Sequence, residues 1–277
     1  MTSCPGDPPR LGATDMSARL GMKPYNAALK ELQRGLKAIQ QAYLSSGHKA
    51  VIVLEGWDAA GKGGLIRRMS APLDPRSFKV WPIGAPGDYY RDRHYLLRFM
   101  ERLPPNGAIA VFDRSWYGRV LVERVEALTP ERRWRMAYDE IRDFERMLLG
   151  DGTRLVKLFL HITPDVQLDR FEERLRDPLK RWKLTYEDFR NRAKWDAYIE
   201  ATDEMFARTS TEAAPWRVIP ANDKRHARIE ALRSIVHVLS DGIPLEPVLP
   251  DDKVLDAADR VLNVEEDLIA SLRGRTE

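Results

Sequence analysis

The run from Val51 to Gly64 constrains this chain more than any other stretch. Val51 to Leu54 is a β-branched, apolar segment of the kind that forms a buried strand. It breaks at Gly56, and a basic helical run begins near Leu65. Between them, Gly56, Gly61 and Lys62 match the first part of the phosphate-binding pattern G-x-x-x-x-G-K-[ST]. The spacing has a mechanism. Glycines let the backbone N–H groups of Ala59, Ala60, Gly61, Gly63 and Gly64 turn toward phosphate oxygens. The following helix adds its positive N-terminal end, and Lys62 reaches the phosphate where charge moves. The bland alternative is a Gly-rich turn joining a strand to a helix.

The pattern departs from its usual form at Gly63, where a Ser or Thr would ligate Mg²⁺. A divalent ion therefore needs other oxygens, and Asp58 inside the loop is the nearest. A second acid stands in the stretch from Val111 to Arg119, where an apolar strand ends in Asp113 and Arg114. In open parallel sheets, ligands sit at that carboxyl edge. If this strand neighbours the first, Asp113 replaces the missing hydroxyl, while Arg114 and Arg119 neutralise charge on a phosphoryl group. Otherwise Asp113 caps the next helix and both arginines face solvent.

A third cluster spans 165–195, with its charge concentrated between Asp169 and Lys194. Arg174, Lys180, Arg181 and Lys183 are interleaved with Phe171, Trp182, Tyr186 and Trp195, around a break at Asp177 and Pro178. Placed after the fourth strand, it reads as a mobile helical lid that closes over a phosphate-rich substrate and excludes water. A solvated helical hairpin is the alternative. His94 and His161 have no partners at metal-ligand spacing and read as structural.

The remaining pattern supplies a scaffold. Tyr25 to Ser45 has apolar residues every three or four positions and ends at Gly47, an amphipathic N-terminal helix. Strands are expected at Phe78–Ile83, Ala108–Asp113, Leu155–Ile162 and Arg217–Pro220. Helices are expected at Arg91–Leu103, Glu131–Leu149, Ala227–Leu239 and Val254–Leu272. Alternating strands and helices predict an α/β three-layer sandwich around a parallel sheet of about five strands. Residues 1–21, rich in Pro and Gly, read as a disordered or loosely attached tail, and 22–277 as one domain.

Composition narrows the partners. The net charge of +3 is too modest to call for nucleic acid. No apolar span reaches membrane length. The single cysteine, Cys4, allows no internal disulfide, so a cytoplasmic address is expected.

Four segments together resemble the polyphosphate kinase 2 family. They are Gly56 to Gly64 (Gly-Trp-Asp-Ala-Ala-Gly-Lys-Gly-Gly), Asp113 to Arg119 (Asp-Arg-Ser-Trp-Tyr-Gly-Arg), Lys180 to Lys183, and Ala214 to Trp216 with Pro220 to Lys224. They fall in the family's order between about Pro24 and Leu239. The resemblance implies a phosphate-loop kinase fold with a helical lid, and a homo-oligomer. It implies reversible phosphoryl transfer between inorganic polyphosphate and an adenine or guanine nucleotide, supported by Mg²⁺ or, in its place, Mn²⁺. Carried over by position, Asp58 and Asp113 organise the metal, Lys62 and Arg114 bind phosphoryl groups in transit, and Arg174, Lys180 and Lys183 serve the lid. Ser115 to Val125 looks most like the branch that converts AMP to ADP. Members of that branch often carry two fused copies of the domain, whereas this chain has one, and Gly87 to Tyr90 stands where an acid-rich stretch is expected. ADP to ATP stays open as the reaction. An ATP-dependent nucleotide kinase and a non-catalytic polyanion-binding protein are the competing readings.

Overall fold

A computed structural model describes residues 7–247, 249–262 and 266–273. The chain begins its regular structure with α1 (Met22–Ser46), β1 (Lys49–Gly56), α2 (Lys62–Ser70) and β2 (Phe78–Pro82). Two single turns, α3 (Asp88–Arg91) and α4 (Leu97–Met100), lead to β3 (Ile109–Asp113), the short α5 (Val122–Val125) and the long α6 (Glu131–Gly150). Then come β4 (Thr153–His161), α7 (Pro164–Arg176), α8 (Tyr186–Ala193), α9 (Trp195–Thr209), β5 (Trp216–Pro220) and α10 (Lys224–Ser240). The chain closes with α11 (Asp252–Val261) and α12 (Glu266–Arg273).

The five strands form one parallel sheet in the order β2-β3-β1-β4-β5. The strand that feeds the glycine loop is thus central, and its residues Ala50 to Leu54 are fully buried. A strand buried on both faces has no need of polar alternation, which explains its unbroken apolar run. The parity of β4 shows how both faces are covered. Arg154 reaches the carbonyl of Val238 on α10, whereas Lys157, of opposite parity, reaches Glu145 on α6. Side chains of opposite parity point to opposite faces. Helices α1 and α10, joined by Tyr43 Oη donating to the Leu239 carbonyl, cover one face; α6 and α9 cover the other. The expected three-layer α/β sandwich is the observed fold.

Two expected helices differ. Arg91–Leu103 is not one helix but two separate turns, α3 and α4. His94 and Tyr95 fall between the two turns, and such side chains lose rotamer freedom in a helix. Burial of Tyr95, Leu96 and Phe99 against the core then decides the path. Val254–Leu272 resolves into α11 and α12, with 263–265 outside the described residues. Cys4 and the rest of residues 1–6 also lie outside them. From residue 7 onward, the stretch expected to be loose makes one specific attachment. Leu11 is buried in the core, and its N–H donates to Asp203 Oδ1 at 2.9 Å. A single anchoring leucine leaves no periodicity to read.

Candidate active site

The sheet places the carboxyl ends of β1 and β3 side by side, with Leu54 in register with Asp113. This is the neighbour relation that the metal reading of Asp113 requires. At the end of β1 the chain must pass Gly56, whose φ is 134°. A Cβ there would lie 2.4 Å from the Leu160 carbonyl oxygen of β4, so only glycine fits. The loop then passes through Ala59 (φ 63°) and Gly61 (φ 113°), which caps α2. Left-handed residues so closely spaced fold the backbone into a nest, with N–H groups turned toward one side. Lys62 Nζ donates to the Gly56 and Trp57 carbonyls at 2.7 and 3.2 Å. Phosphate oxygens, being charged, are stronger acceptors than these carbonyls.

The loop is held from behind. Trp57 stacks on Trp195 of α9 with ring centroids 3.7 Å apart, and its Nε1 donates to His161 Nδ1 at 2.8 Å. Burial pushes the His161 imidazole down to about 4, which keeps it neutral and able to accept. His161 is structural, as its sequence context predicts. Arg170 on α7 is buried and donates to the carbonyls of Ala59, Ala60, Ala221 and Asn222, tying the phosphate loop to the β5–α10 connection. Burial lowers its guanidinium only to about 10, so it stays charged at neutral pH.

Above the loop, the acids and cations meet. Asp58 Oδ1 accepts from Arg114 Nη2 at 2.7 Å, and Oδ2 accepts from Asn191 Nδ2 on α8 at 2.8 Å. Gln167 of α7 donates to the Asp58 carbonyl. Helices α7 and α8 are thereby attached to the phosphate loop through neutral amides as well as a cation. Arg114 has φ 66°, a conformation that strains a non-glycine residue by about 1–3 kcal/mol and concentrates at functional sites. Burial works against its charge, but Asp58, Glu55 and Asp113 outweigh that and raise its pKa. Beneath it lies Glu55, buried and accepting from Ser115 Oγ at 2.8 Å. Burial pushes the Glu55 carboxyl up, while the Ser115 bond, Lys62 and Arg114 pull it back.

These elements enclose a cavity of about 730 Å³. Of the expected site residues, Asp58, Ala59, Ala60, Gly61, Lys62, Gly63, Gly64, Asp113, Arg114, Arg174, Lys180 and Lys183 all line it. Two do not. Arg181 turns away and donates to the Leu175 carbonyl. Arg119 pairs with Glu123 at 2.7 Å and lies over the Tyr95 ring, holding the segment after β3 together rather than facing the cavity. Asn191, Lys224 and Arg228, none of them an expected site residue, also line the cavity. Arg228 reaches to within 3.3 Å of where a Gly64 Cβ would stand. No spacing rule links these residues to the loop. The only hint was that Lys224 follows Asn222 and Asp223 directly after β5, at the ligand-binding edge of the sheet.

Among the described residues, no group of three or more His, Cys, Asp or Glu is arranged to hold a metal. Mg²⁺ needs no such group. It keeps several waters and takes one or two carboxylates together with substrate phosphates. The Asp113 carboxylate, which makes no side-chain hydrogen bond among the described residues, and that of Asp58 at the loop are hard oxygen donors on one cavity wall, so the donor set fits.

The family model described as Polyphosphate kinase 2 (PPK2) matches residues 19–244. The chain belongs to the polyphosphate kinase 2 family. It is 48% identical over 229 residues to the polyphosphate:AMP phosphotransferase of Pseudomonas syringae, covering 83% of this chain and 46% of that protein. The chain thus spans about half the length of the first curated relatives it matches. It is 43% identical to the AMP/ADP-polyphosphate phosphotransferase of Meiothermus ruber, covering 87% of this chain and 91% of that one. Among solved structures, the polyphosphate kinase 2 of Arthrobacter aurescens TC1 superimposes with a TM-score of 0.84 at 32% identity, over 90% of this chain and 92% of that one. The polyphosphate kinase 2 fold and the five-stranded sheet described above therefore agree.

Proposed function

We propose that this chain transfers phosphoryl groups reversibly between inorganic polyphosphate and a nucleotide, with AMP to ADP as the principal reaction. One observation carries the reading. The phosphate loop with Lys62, the Asp113–Arg114 strand end and the lid cations Arg174, Lys180 and Lys183 line one cavity. A site with that many cations beyond the loop suits a donor richer in phosphate than a nucleotide alone.

In the proposed reaction the loop N–H groups and Lys62 hold the terminal phosphoryl group of polyphosphate, and Arg114 faces the charge that develops on it. The acceptor phosphate oxygen attacks in line. A new P–O bond forms to the nucleotide, and the bond to the shortened polyphosphate breaks. The acceptor oxygen is already ionised near neutral pH, so no strong general base is needed; catalysis is positioning and electrostatics. Mg²⁺, or Mn²⁺ in its place, would be held by Asp113 and Asp58 and would neutralise charge on the phosphates. Lid closure over α2 excludes water as a competing acceptor.

A second reading, in which one site accepts both AMP and ADP, is favoured by the name and near-complete overlap of the Meiothermus ruber relative. Separate reactions of AMP and of ADP with long-chain polyphosphate, Mg²⁺ and no ATP discriminate them. ADP from AMP alone supports the principal reading, and product from both supports the second. Silence in both, with turnover restored by ATP as donor, would replace polyphosphate by ATP. A cytoplasmic address and assembly into a homo-oligomer belong to the same proposal. Among the described residues, no helix is long and apolar enough to cross a membrane.

A further inference from the structure

Glu55 is a buried carboxylate that the proposed transfer does not touch. It lies on β1 immediately before the phosphate loop, and its bond from Ser115 crosses to the segment that follows β3. Between Asp113 and Ser115, residue 114 is left-handed, with φ 66°. That residue is fixed on both sides by consecutive residues of β1. Its own N–H donates to the Leu54 carbonyl at 3.0 Å, and the next residue's hydroxyl donates to the Glu55 carboxylate at 2.8 Å. Ser115 Oγ in turn accepts from the Tyr117 N–H, starting the short helical turn at Trp116. Both Glu55 and Ser115 are nearly inaccessible to solvent, at 5% and 3% exposure, so water cannot substitute for either partner. The outcome of this geometry is the side chain of Arg114, which leaves the strand edge and meets Asp58 Oδ1 at 2.7 Å above the loop.

We infer that Glu55 and Ser115 form a clamp that holds residue 114 in its left-handed conformation and so aims the Arg114 guanidinium into the cavity. Both are positioning residues, acting through Arg114. A non-glycine residue keeps a left-handed backbone only where its surroundings over-determine it. The two anchors on β1 supply that constraint, and the Ser115 hydroxyl is the side-chain one. The inference depends on the proposed phosphoryl transfer for its kinetic readout and has a structural readout that does not.

The test uses the full chain with Ser115→Ala, Glu55→Gln and Glu55→Leu. Arg114 acts on the phosphoryl group in transit, so Ser115→Ala is expected to lower kcat about tenfold while KM for polyphosphate stays within about twofold. Glu55→Gln keeps an oxygen for the Ser115 hydroxyl and is expected to retain kcat within about threefold, whereas Glu55→Leu falls at least as far as Ser115→Ala. A crystal structure of Ser115→Ala should show residue 114 at negative φ and the Asp58–Arg114 pair broken. Residue 114 still left-handed and paired to Asp58 in that structure would overturn the clamp. So would unchanged kcat in Ser115→Ala, or Glu55→Gln falling as far as Glu55→Leu. If the wild-type chain transfers no phosphate from polyphosphate, the phosphotransfer reading fails by itself, and the crystal structure alone decides the clamp.

Discussion

Single residues carry most of the geometry at the loop, and each makes a separable demand. At Gly56 the close approach of Leu160 and the positive φ act together. Gly56→Ala combines overpacking with backbone strain, and should destabilise the fold by roughly 3 kcal/mol, read as a lowered urea midpoint. His161 makes a pH prediction. Its folded pKa of about 4 lies below the usual histidine value of 6.5, so the unfolded chain binds the extra proton first. Its contribution to stability is therefore present above pH 6.5 and is lost as pH falls toward 4. Between pH 7 and pH 5 the loss from this group should be about 2 kcal/mol. His161→Gln, a neutral acceptor for Trp57, should flatten that part of the stability–pH curve, and an equally steep curve in the variant would exclude His161 as its source. Asp58, Lys62 and Asp113 were legible in the sequence because loop spacing and a strand end fix where they must go. Arg119 misled because a basic residue near a site residue reads the same whether it faces the cavity or, as here, pairs with Glu123.

At the scale of elements, strands were easier to read than lid and surface helices. β1, β3 and β4 are buried on both faces and show it as continuous apolar runs, so only their ends moved by a residue or two. The Arg91–Leu103 segment differs from its pattern because its periodic leucines and phenylalanine all sit in or beside the single turn α4, while α3 already ends at Arg91. The break at Asp177 and Pro178 separates α7 from α8, as expected, and Thr185 with Asp188 forms a capping box that starts α8. What no pattern revealed is that α8 reaches the loop through Asn191, an uncharged residue in a field of cations. The exposed cations between α7 and α8 have a different signature. Lys180 is paired with Asp177, and Lys183 lies over the Trp182 ring, both at the cavity rim. Replacing Lys180 and Lys183 together by Ala should raise KM for long-chain polyphosphate about tenfold, with a smaller change in kcat. The defect should shrink at high salt, where wild-type binding is itself screened. A salt-independent defect would mean that the pair acts through packing instead of charge.

For the whole molecule, the parallel order β2-β3-β1-β4-β5 is what turns scattered motifs into one site. It sets the phosphate-loop strand between the Asp113 strand and β4, which leads into α7 and α8. Alternating strands and helices announced such a sheet, but strand order is a non-local property that no local pattern encodes. The anchoring of Leu11 on α9 through Asp203 was invisible for the same reason. If this cavity moves a phosphoryl group as proposed, Lys62 supplies charge to that group. The most direct measurement is nucleotide phosphorylation with polyphosphate as sole donor, by the wild-type chain and by Lys62→Ala. Loss of one transition-state charge contact predicts a rate lower by on the order of 10³ or more in the variant, with the fold intact by circular dichroism. Near-native turnover by Lys62→Ala would contradict the claim and move the chemistry away from the loop.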